Sequence, residues 1–235
     1  MDNRKYMEKE FYDSTEYFEE LKDVFLNLDS RFQKYRIKNV LAIYNPGIDE
    51  IVMDIGCGWG TFVFTLAGKV KKMIGLDISE KSIELCQKVA DEKGIEGIEL
   101  TCADAAETGF PDNSIDVIIC ADLVEHLYPD IYLGIVKEVY RILRPGGKFI
   151  IWTPHRGHFI EILRNNNIIL KKHLPHVDYK SMKTIKDSLT EKGFKIIRTE
   201  YRCSHLPILN ILERIFQSFI PILRRRIAVL AEKEK

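Results

Sequence analysis

Three glycines follow a short apolar run and could hold a ligand against the backbone. Val52 to Ile55 is apolar apart from one aspartate, and Gly56, Gly58 and Gly60 follow it directly. Glycine is needed where a chain turns sharply with positive φ and where the backbone must touch a ligand. The spacing is tighter than the Gly-x-Gly-x-x-Gly pattern that leaves a helix N-terminus open for a pyrophosphate. The loop therefore favours a ligand that has no phosphate at this point.

An acidic residue stands where it could complete this ligand site. Asp77 ends the next apolar run, about 20 residues past the glycine loop. A carboxylate at that place can accept hydrogen bonds from both hydroxyls of a ribose. Turns use glycine everywhere, so the alternative is a set of turn glycines beside a solvated Asp77. A strand, a glycine loop, a helix and an acid that ends the next strand together favour the ligand site.

The elements that would position these residues alternate along the chain. Apolar, strand-like runs occupy residues 50–55, 73–77, 98–102, 115–121 and 148–153. Amphipathic helical segments lie between them at residues 62–68, 79–93 and 131–143. Strands that alternate with helices predict right-handed crossovers and a parallel sheet. Residues 194–201 and 227–233 would supply two further strands.

Taken in order, these motifs resemble those of the class I S-adenosylmethionine-dependent methyltransferases. Val52 to Gly60 resembles the first motif of that family, and Gly75 to Ser79 resembles its second-strand motif. Further matches follow at residues 103–118, 124–127 and 138–147, the last two like the small-molecule branch of the family. The resemblance implies an α/β fold, a Rossmann-like, mostly parallel seven-stranded sheet with helices on both faces and an antiparallel final strand. It also implies S-adenosyl-L-methionine as the cofactor and says little about the methyl acceptor.

The resemblance implies a role for each matching residue. The loop of Gly56, Cys57, Gly58 and Gly60 would let the backbone approach the methionine part and the ribose. Asp54 would bind the region of the methionine amino group, directly or through water. The other expected cofactor contacts are Asp77 on the ribose hydroxyls, Ile78 and Ala105 on the adenine ring, Asp104 on the adenine amino group, and Ala121 under the sulfonium.

Two histidines are the candidate catalytic residues. Methyl transfer mainly needs an aligned nucleophile and the exclusion of water, and a general base is needed only for a poorly ionised acceptor. His126 follows the fourth strand and His155 follows the fifth, and a structural role is the alternative for each. The pairs His155-x-x-His158 and His173-x-x-His176 lack a carboxylate on a clear helix, so no metal is predicted.

The length and the net charge of the chain limit the classes of protein to which it can belong. The chain has 235 residues, 46% of them hydrophobic, which suits one core with appendages. We expect an N-terminal helical cap at 1–48, a cofactor-binding core at 49–153 and a C-terminal part at 154–235 that completes the sheet. The zero net charge and the lack of an Asn/Asp-Pro-Pro-Tyr/Phe motif after the fourth strand argue against nucleic-acid binding. A charged N-terminus and the lack of a long apolar window predict a cytoplasmic protein.

The segment 206–226 combines an apolar helix with three arginines. Its polar positions recur every three to four residues, which predicts an amphipathic helix over residues 208–220 with a broad apolar face. Arg224, Arg225 and Arg226 follow. One interpretation is a helix at the inner membrane surface whose arginines meet anionic lipid. The other is a helix packed on the sheet or in a homodimer, with its arginines in solvent.

Methyl transfer from S-adenosyl-L-methionine to a small-molecule, glycan or lipid-linked acceptor is the predicted function. Within enzymes, the alternative is a quinone or lipid O-methyltransferase at the membrane surface. From another class, the alternative is a cofactor-binding regulatory protein without turnover. The glycine loop, Asp77 and Asp104 favour cofactor binding in each case.

Overall fold

A seven-stranded sheet forms the centre of the molecule. The computed structural model describes residues 9–14, 26–168 and 176–234. Residues 1–8 and 15–25 of the predicted N-terminal helical cap at 1–48 lie outside these residues, as does His173. The strands are β1 (Ile51–Ile55), β2 (Lys72–Asp77), β3 (Ile98–Cys102), β4 (Ile115–Ala121), β5 (Leu143–Pro154), β6 (Phe194–Arg202) and β7 (Arg226–Lys233).

The sheet order is β3-β2-β1-β4-β5-β7-β6. The pairs from β3 to β5 are parallel, and β7 runs antiparallel to both β5 and β6. The predicted mostly parallel seven-stranded sheet is therefore confirmed, including its antiparallel final strand. β1 lies between β2 and β4, so the connections that leave β1 and β4 diverge. Open α/β sheets bind ligands at this switch point, beyond the carboxyl ends of the strands.

Helices cover both faces of the sheet. In the described ranges they are α1 (Arg31–Leu41), α2 (Thr61–Leu66), α3 (Glu80–Lys93), α4 (Pro129–Ile142), α5 (Phe159–Asn165), α6 (Met182–Lys192) and α7 (Pro207–Phe216). One buried cluster joins α4 and α6 to the sheet, and a second joins α1 and α2 to the opposite face. Strand side chains alternate between the two faces, so β4 contributes Ile118 to the first cluster and Val117 to the second.

Local sequence fixes the helix that follows β2. The Ser79 side chain accepts a hydrogen bond from the amide of Ser82, which caps the start of α3. Gly94 ends the helix in the left-handed region at φ +60°, where a side chain would be strained. The predicted helix over 79–93 is confirmed, and its rigid start keeps the end of β2 in place.

Two element boundaries differ by four or five residues from the sequence predictions, and one helix was not predicted. β5 begins at Leu143, five residues before the predicted Lys148, because Leu143 pairs with Ile115 across an irregular stretch of β4. The helix α5 had no sequence prediction. The helix α7 ends at Phe216, four residues early, since Pro221 disfavours helical conformation just before it.

The described helices include none that is both long enough and apolar enough to cross a membrane.

Candidate active site

A cavity of about 560 Å³ opens at the carboxyl ends of the central strands. The glycine loop after β1, the end of β2 and the segment after β4 supply its walls. Nine of the predicted site residues line it: Gly56, Cys57, Gly58, Asp77, Ile78, Asp104, Ala105, Ala121 and His126. Residues at the ends of four separate strands thus converge on one space.

Asp77 is held by backbone donors at the cavity wall. Its Oδ2 accepts the amide of Gly58 at 2.8 Å, and its Oδ1 accepts the amide of Ser79 at 2.9 Å. Burial raises the pKa of this carboxyl, and the two amide bonds oppose that rise. A carboxylate oxygen can accept about two hydrogen bonds. Each oxygen of Asp77 therefore keeps capacity for one hydroxyl of a diol.

The three loop glycines serve two different purposes. All three have positive φ, between +52° and +78°. A Cβ built on Gly58 would meet no atom within 4 Å and would project into open space at the cavity wall. A Cβ on Gly60 would lie 2.6 Å from the Phe64 ring, and Gly60 is not part of the cavity lining. Gly58 leaves room for a ligand, whereas Gly60 leaves room for helix packing.

Asp54 lies behind the cavity wall. It is 2% exposed and does not line the cavity. Burial raises its pKa to about 7, with Asp77 adding to the rise and Arg36 opposing it. Its predicted role near a methionine amino group stays a prediction, since the side chain is buried outside the cavity lining.

On the far side of β2, three predicted adenine contacts form one wall. Ile78, Asp104 and Ala105 all line the cavity. Asp104 Oδ1 accepts the amide of Ala106 at 2.8 Å, which fixes the side chain in the turn after β3. Asp77 ends β2 and Asp104 follows β3, and these two strands are parallel neighbours, so the wall continues from Asp77 to Asp104.

His126 joins a cluster of polar groups at the cavity wall. The Tyr12 hydroxyl and His126 Nδ1 share a hydrogen bond of 2.7 Å. The His126 and His176 rings meet edge to face at a centroid distance of 4.8 Å. Metal-ligating atoms of Glu125, His126 and His176 all lie within 4.8 Å of one another. The fold thus brings to His176 a carboxylate that the sequence pattern lacked.

Glu125 is buried beside this cluster. It is 1% exposed, and burial together with the nearby Asp122 raises its pKa to about 8, against the opposing charge of Arg226. Its Oε2 accepts the Thr153 hydroxyl at 3.0 Å.

His155 lies away from the cavity. Its Nδ1 is 3.0 Å from the carbonyl oxygen of Arg224, and its ring packs edge to face on Tyr201. Burial lowers its pKa. The preceding Pro154 lines the cavity and His155 does not, so the structure brings only one of the two candidate catalytic histidines to the site.

The arginines at 224–226 do not form a solvated basic tail, contrary to both interpretations of the sequence. Arg225 is 8% exposed and pairs with Glu161, while Arg226 pairs with Asp122. Arg224 lies over the Tyr201 ring at 4.7 Å. The physical reason is the register of β7: Arg226 pairs with Pro154 at the carboxyl end of β5, so the chain enters β7 along the cavity edge.

Asp122 joins β4 to two arginines. Its Oδ2 accepts Arg36 Nε at 2.8 Å, and its Oδ1 accepts Arg226. The two guanidinium groups hold the pKa of Asp122 below its usual range although burial opposes them. Asp122 has φ +58°, a conformation in which Asp and Asn are tolerated better than other residues with a side chain.

Sequence reasoning missed several residues of the cavity wall, chiefly Tyr35, Arg36, Glu161, Arg164, Arg225 and Arg226. Glu161 carried a usable signal, since it is an acid inside the apolar run Phe159 to Leu163. A charge in such a run is usually buried with a partner. No local pattern marks the others, because the fold brings them together from distant segments.

Comparisons with known proteins point to one family. A methyltransferase domain family model matches residues 52–147. Aklanonic acid methyltransferase DauC of Streptomyces sp. (strain C5) is 32% identical over 143 residues, which is 60% of this chain and 64% of DauC. The demethylmenaquinone methyltransferase of Oceanobacillus iheyensis is 27% identical over 124 residues, 51% of each chain. The chain spans about half the length of the curated relatives it matches.

The fold is also similar to that of solved structures. Phosphoethanolamine N-methyltransferase 2 of Haemonchus contortus, solved with S-adenosyl-L-methionine, has a TM-score of 0.73. The similarity covers 97% of this chain and 60% of that chain at 19% identity. At this identity the likeness concerns the fold alone.

Proposed function

We propose, from the premise that residues 52–147 of this chain are a class I S-adenosylmethionine-dependent methyltransferase domain, that the protein methylates a small-molecule acceptor in the cavity. The observation that carries this proposal is the pairing of Gly58 with Asp77. Gly58 presents open space where a side chain would stand, and the Asp77 carboxylate beside it keeps acceptor capacity for a diol.

The residues present fit S-adenosyl-L-methionine. Asp77 would hold its ribose, while Ile78, Asp104 and Ala105 would hold the adenine ring in the wall after β2 and β3. The Gly58 backbone can approach the ligand closely since no side chain intervenes. About 560 Å³ falls within the range of cavities that enclose small ligands.

The tasks of this chain are alignment and the exclusion of water. When bound, S-adenosylmethionine would supply a methyl group activated by a sulfonium, with S-adenosylhomocysteine as the leaving group. Apolar side chains that include Leu127, Ile131 and Ile135 line the cavity beyond the loop and keep water from the acceptor. Orientation of the two reactants can supply much of the rate.

His126 would take the proton that a neutral acceptor releases. Tyr12 holds the ring through Nδ1, which leaves the orientation of the imidazole fixed at the cavity wall. A base of this kind typically contributes about 10²–10⁴-fold. An acceptor that is already ionised would need no such base. If the acceptor is neutral, His126→Gln should slow turnover, and if it is ionised, the substitution should have little effect, so turnover of this variant at low and high pH distinguishes the two cases.

A labelled-methyl experiment tests the proposed function. The purified protein is incubated with a small-molecule extract and S-adenosylmethionine that carries a deuterated methyl group. We expect at least one extract mass to gain the labelled methyl with the wild type and none with Asp77→Ala. Clear binding of S-adenosylhomocysteine without any labelled product from broad extracts would contradict turnover and favour the regulatory alternative.

A membrane-surface acceptor is the second candidate, and the exposed face of α7 favours it. Ile208 is 79% exposed and Phe219 is 84% exposed, with Ile211 and Ile215 exposed between them. Soluble proteins seldom leave so many neighbouring large apolar side chains in water. The exposed Arg214 on the same helix could meet an anionic headgroup. The occupant proposed for this face is an anionic lipid surface.

The inward side of α7, opposite the exposed apolar face, is tied to the cavity wall. Glu213 accepts the Ser204 amide, and the Asn210 side chain donates to the Ser204 carbonyl at 2.6 Å. Ser204 itself lines the cavity.

Sedimentation with vesicles tests the membrane candidate. Vesicles with anionic lipid should bring down the wild type and release an Ile208→Ser/Ile211→Ser/Ile215→Ser variant. The control is Ile197→Ser, which replaces an exposed isoleucine of β6 outside this face. Failure of the wild type to sediment with any vesicle would remove the membrane candidate and leave the small-molecule proposal intact.

A further inference from the structure

The cavity has two ends with different chemistry. Asp77 and Asp104 line one end, beyond β2 and β3. The other end is lined by residues that follow β4 and β5 and by residues that precede β7. Four strand spacings separate β2 from β7, which is about 19 Å. A cofactor held at Asp77 therefore leaves the far end to the acceptor. We call that far end the basic end and define it by Arg36, Arg164, Arg225 and Arg226, which all line the cavity.

The basic end holds more positive than negative charge. Two arginines, Arg36 and Arg226, share the single carboxylate of Asp122. Arg164 and Arg225 share the single carboxylate of Glu161. Burial would raise the pKa of Glu161, but the arginines hold it at about 2. Both carboxylates are therefore ionised near neutral pH, and each balances only half of the charge beside it.

Two neighbouring acids, Glu125 and Glu213, form no ion pair with these arginines in the described part of the chain. Glu125 is 1% exposed, and its Oε2 accepts the Thr153 hydroxyl. Glu213 lies behind the wall, 0% exposed, where it binds His158 and the Ser204 amide. Arg164 and Arg225 therefore have only the Glu161 carboxylate as an ion-pair partner among the described residues.

Two groups at this end lack a full set of partners in the described part of the chain. The nearest carboxylate oxygen to the Arg164 guanidinium is 3.8 Å away, longer than a hydrogen bond, and this side chain is 29% exposed. Ser204 is 2% exposed, and its Oγ finds no hydrogen-bond partner among the described residues. Buried polar groups are normally satisfied, so an unsatisfied one at a cavity wall suggests a ligand.

We propose that the methyl acceptor carries an anionic group, a carboxylate or a phosphate, that binds Arg164, Arg225 and Ser204 at the basic end. This rests on the proposed function, because the group is placed on the methyl acceptor. A planar guanidinium donates two parallel hydrogen bonds to either kind of anion. The aromatic rings of Phe32 and Tyr35 line the same region and suit an acceptor with an apolar body.

Three matched probes test the anionic site by calorimetry: phenyl phosphate, benzoate and benzyl alcohol. Each is titrated into the protein with and without saturating S-adenosylhomocysteine. We expect at least one of the two anions to bind about tenfold or more tightly than the alcohol, as charge-assisted hydrogen bonds typically require. The ratio between phenyl phosphate and benzoate tells which anion the site prefers.

Variants locate the anionic site. Arg164→Gln should weaken the preferred anion about tenfold and leave S-adenosylhomocysteine affinity unchanged. Ser204→Ala should weaken the anion by a smaller factor. The control is Arg198→Gln, which removes an ion-paired arginine of β6 outside the cavity and should change neither affinity.

The outcomes separate this proposal from the proposed function. A wild type that fails to bind S-adenosylhomocysteine would contradict the methyltransferase proposal, while the anion titrations without it would still report on the basic end. A wild type that binds S-adenosylhomocysteine but prefers benzyl alcohol, or an Arg164→Gln variant with full anion affinity, would overturn the anionic acceptor alone.

Discussion

Asp122→Asn should destabilise the protein through charge alone. The substitution keeps the shape of the side chain and tolerates φ +58°, so it adds little backbone strain. It removes the carboxylate that Arg36 and Arg226 share, and the side chains of these arginines are only 9% and 13% exposed. The new amide group also directs a donor at a guanidinium. Removing one partner of a buried ion pair costs about 3–5 kcal/mol. We expect about 3 kcal/mol, the lower end, because Asp122 is 18% exposed.

Urea denaturation at pH 7 measures this loss. Asp112→Asn is the matched control: its partner is also an arginine, Arg141, but Asp112 is 69% exposed, so the free energy of unfolding should fall by less than about 1 kcal/mol. The pKa of Asp122 is lowered in the folded state. Its contribution is therefore complete above the unfolded value of about 3.9 and is lost as the pH falls through the folded pKa. Equal losses for Asp122→Asn and Asp112→Asn at pH 7 would refute the reasoning.

Two further predictions concern the loop and the buried acid. Gly58→Ala should lower S-adenosylhomocysteine affinity about tenfold or more, because the new methyl group fills open space. Its positive φ should make the same substitution cost only about 1 kcal/mol of stability. The control is Gly94→Ala, at φ +60° with no atom within 4 Å, which should show the same stability cost and unchanged affinity. Glu125→Gln should gain stability relative to the wild type as pH rises, by up to about 1.4 kcal/mol per pH unit between pH 5 and 8. Because the pKa of Glu125 is raised to about 8, the wild type must keep this carboxyl protonated or bury its charge. If the free energies of unfolding of the two proteins, measured with urea, differ by the same amount at every pH in this range, the burial argument is contradicted.

The sequence marks the residues around the glycine loop because its signals there are local. A glycine loop, an acid at a strand end and a capped helix each occupy a few consecutive residues, and the fold brings Gly58 and Asp77 together at the cavity wall. The antiparallel final strand followed from family resemblance and is confirmed.

The acceptor half depends on pairing between distant segments. Arg226 reaches Asp122 only because β7 pairs with β5 in the observed register, a fact that no stretch of local sequence contains. The run of three arginines therefore predicts a solvated patch and instead supplies two cavity residues. His155 shows the converse: its position after β5 suggested the cavity, but its ring turns to Tyr201.

Binding of S-adenosylhomocysteine to the wild type and to Asp77→Ala is the most direct test of the central claim. Calorimetry should show clear binding to the wild type and a loss of about tenfold or more for Asp77→Ala, because a charge-assisted bond to the ribose is worth about 1.5–3 kcal/mol. Asp112→Asn, outside the cavity, should bind like the wild type. Undiminished affinity in Asp77→Ala, or no binding to the wild type, would contradict the placement of the cofactor and with it the proposed methyl transfer.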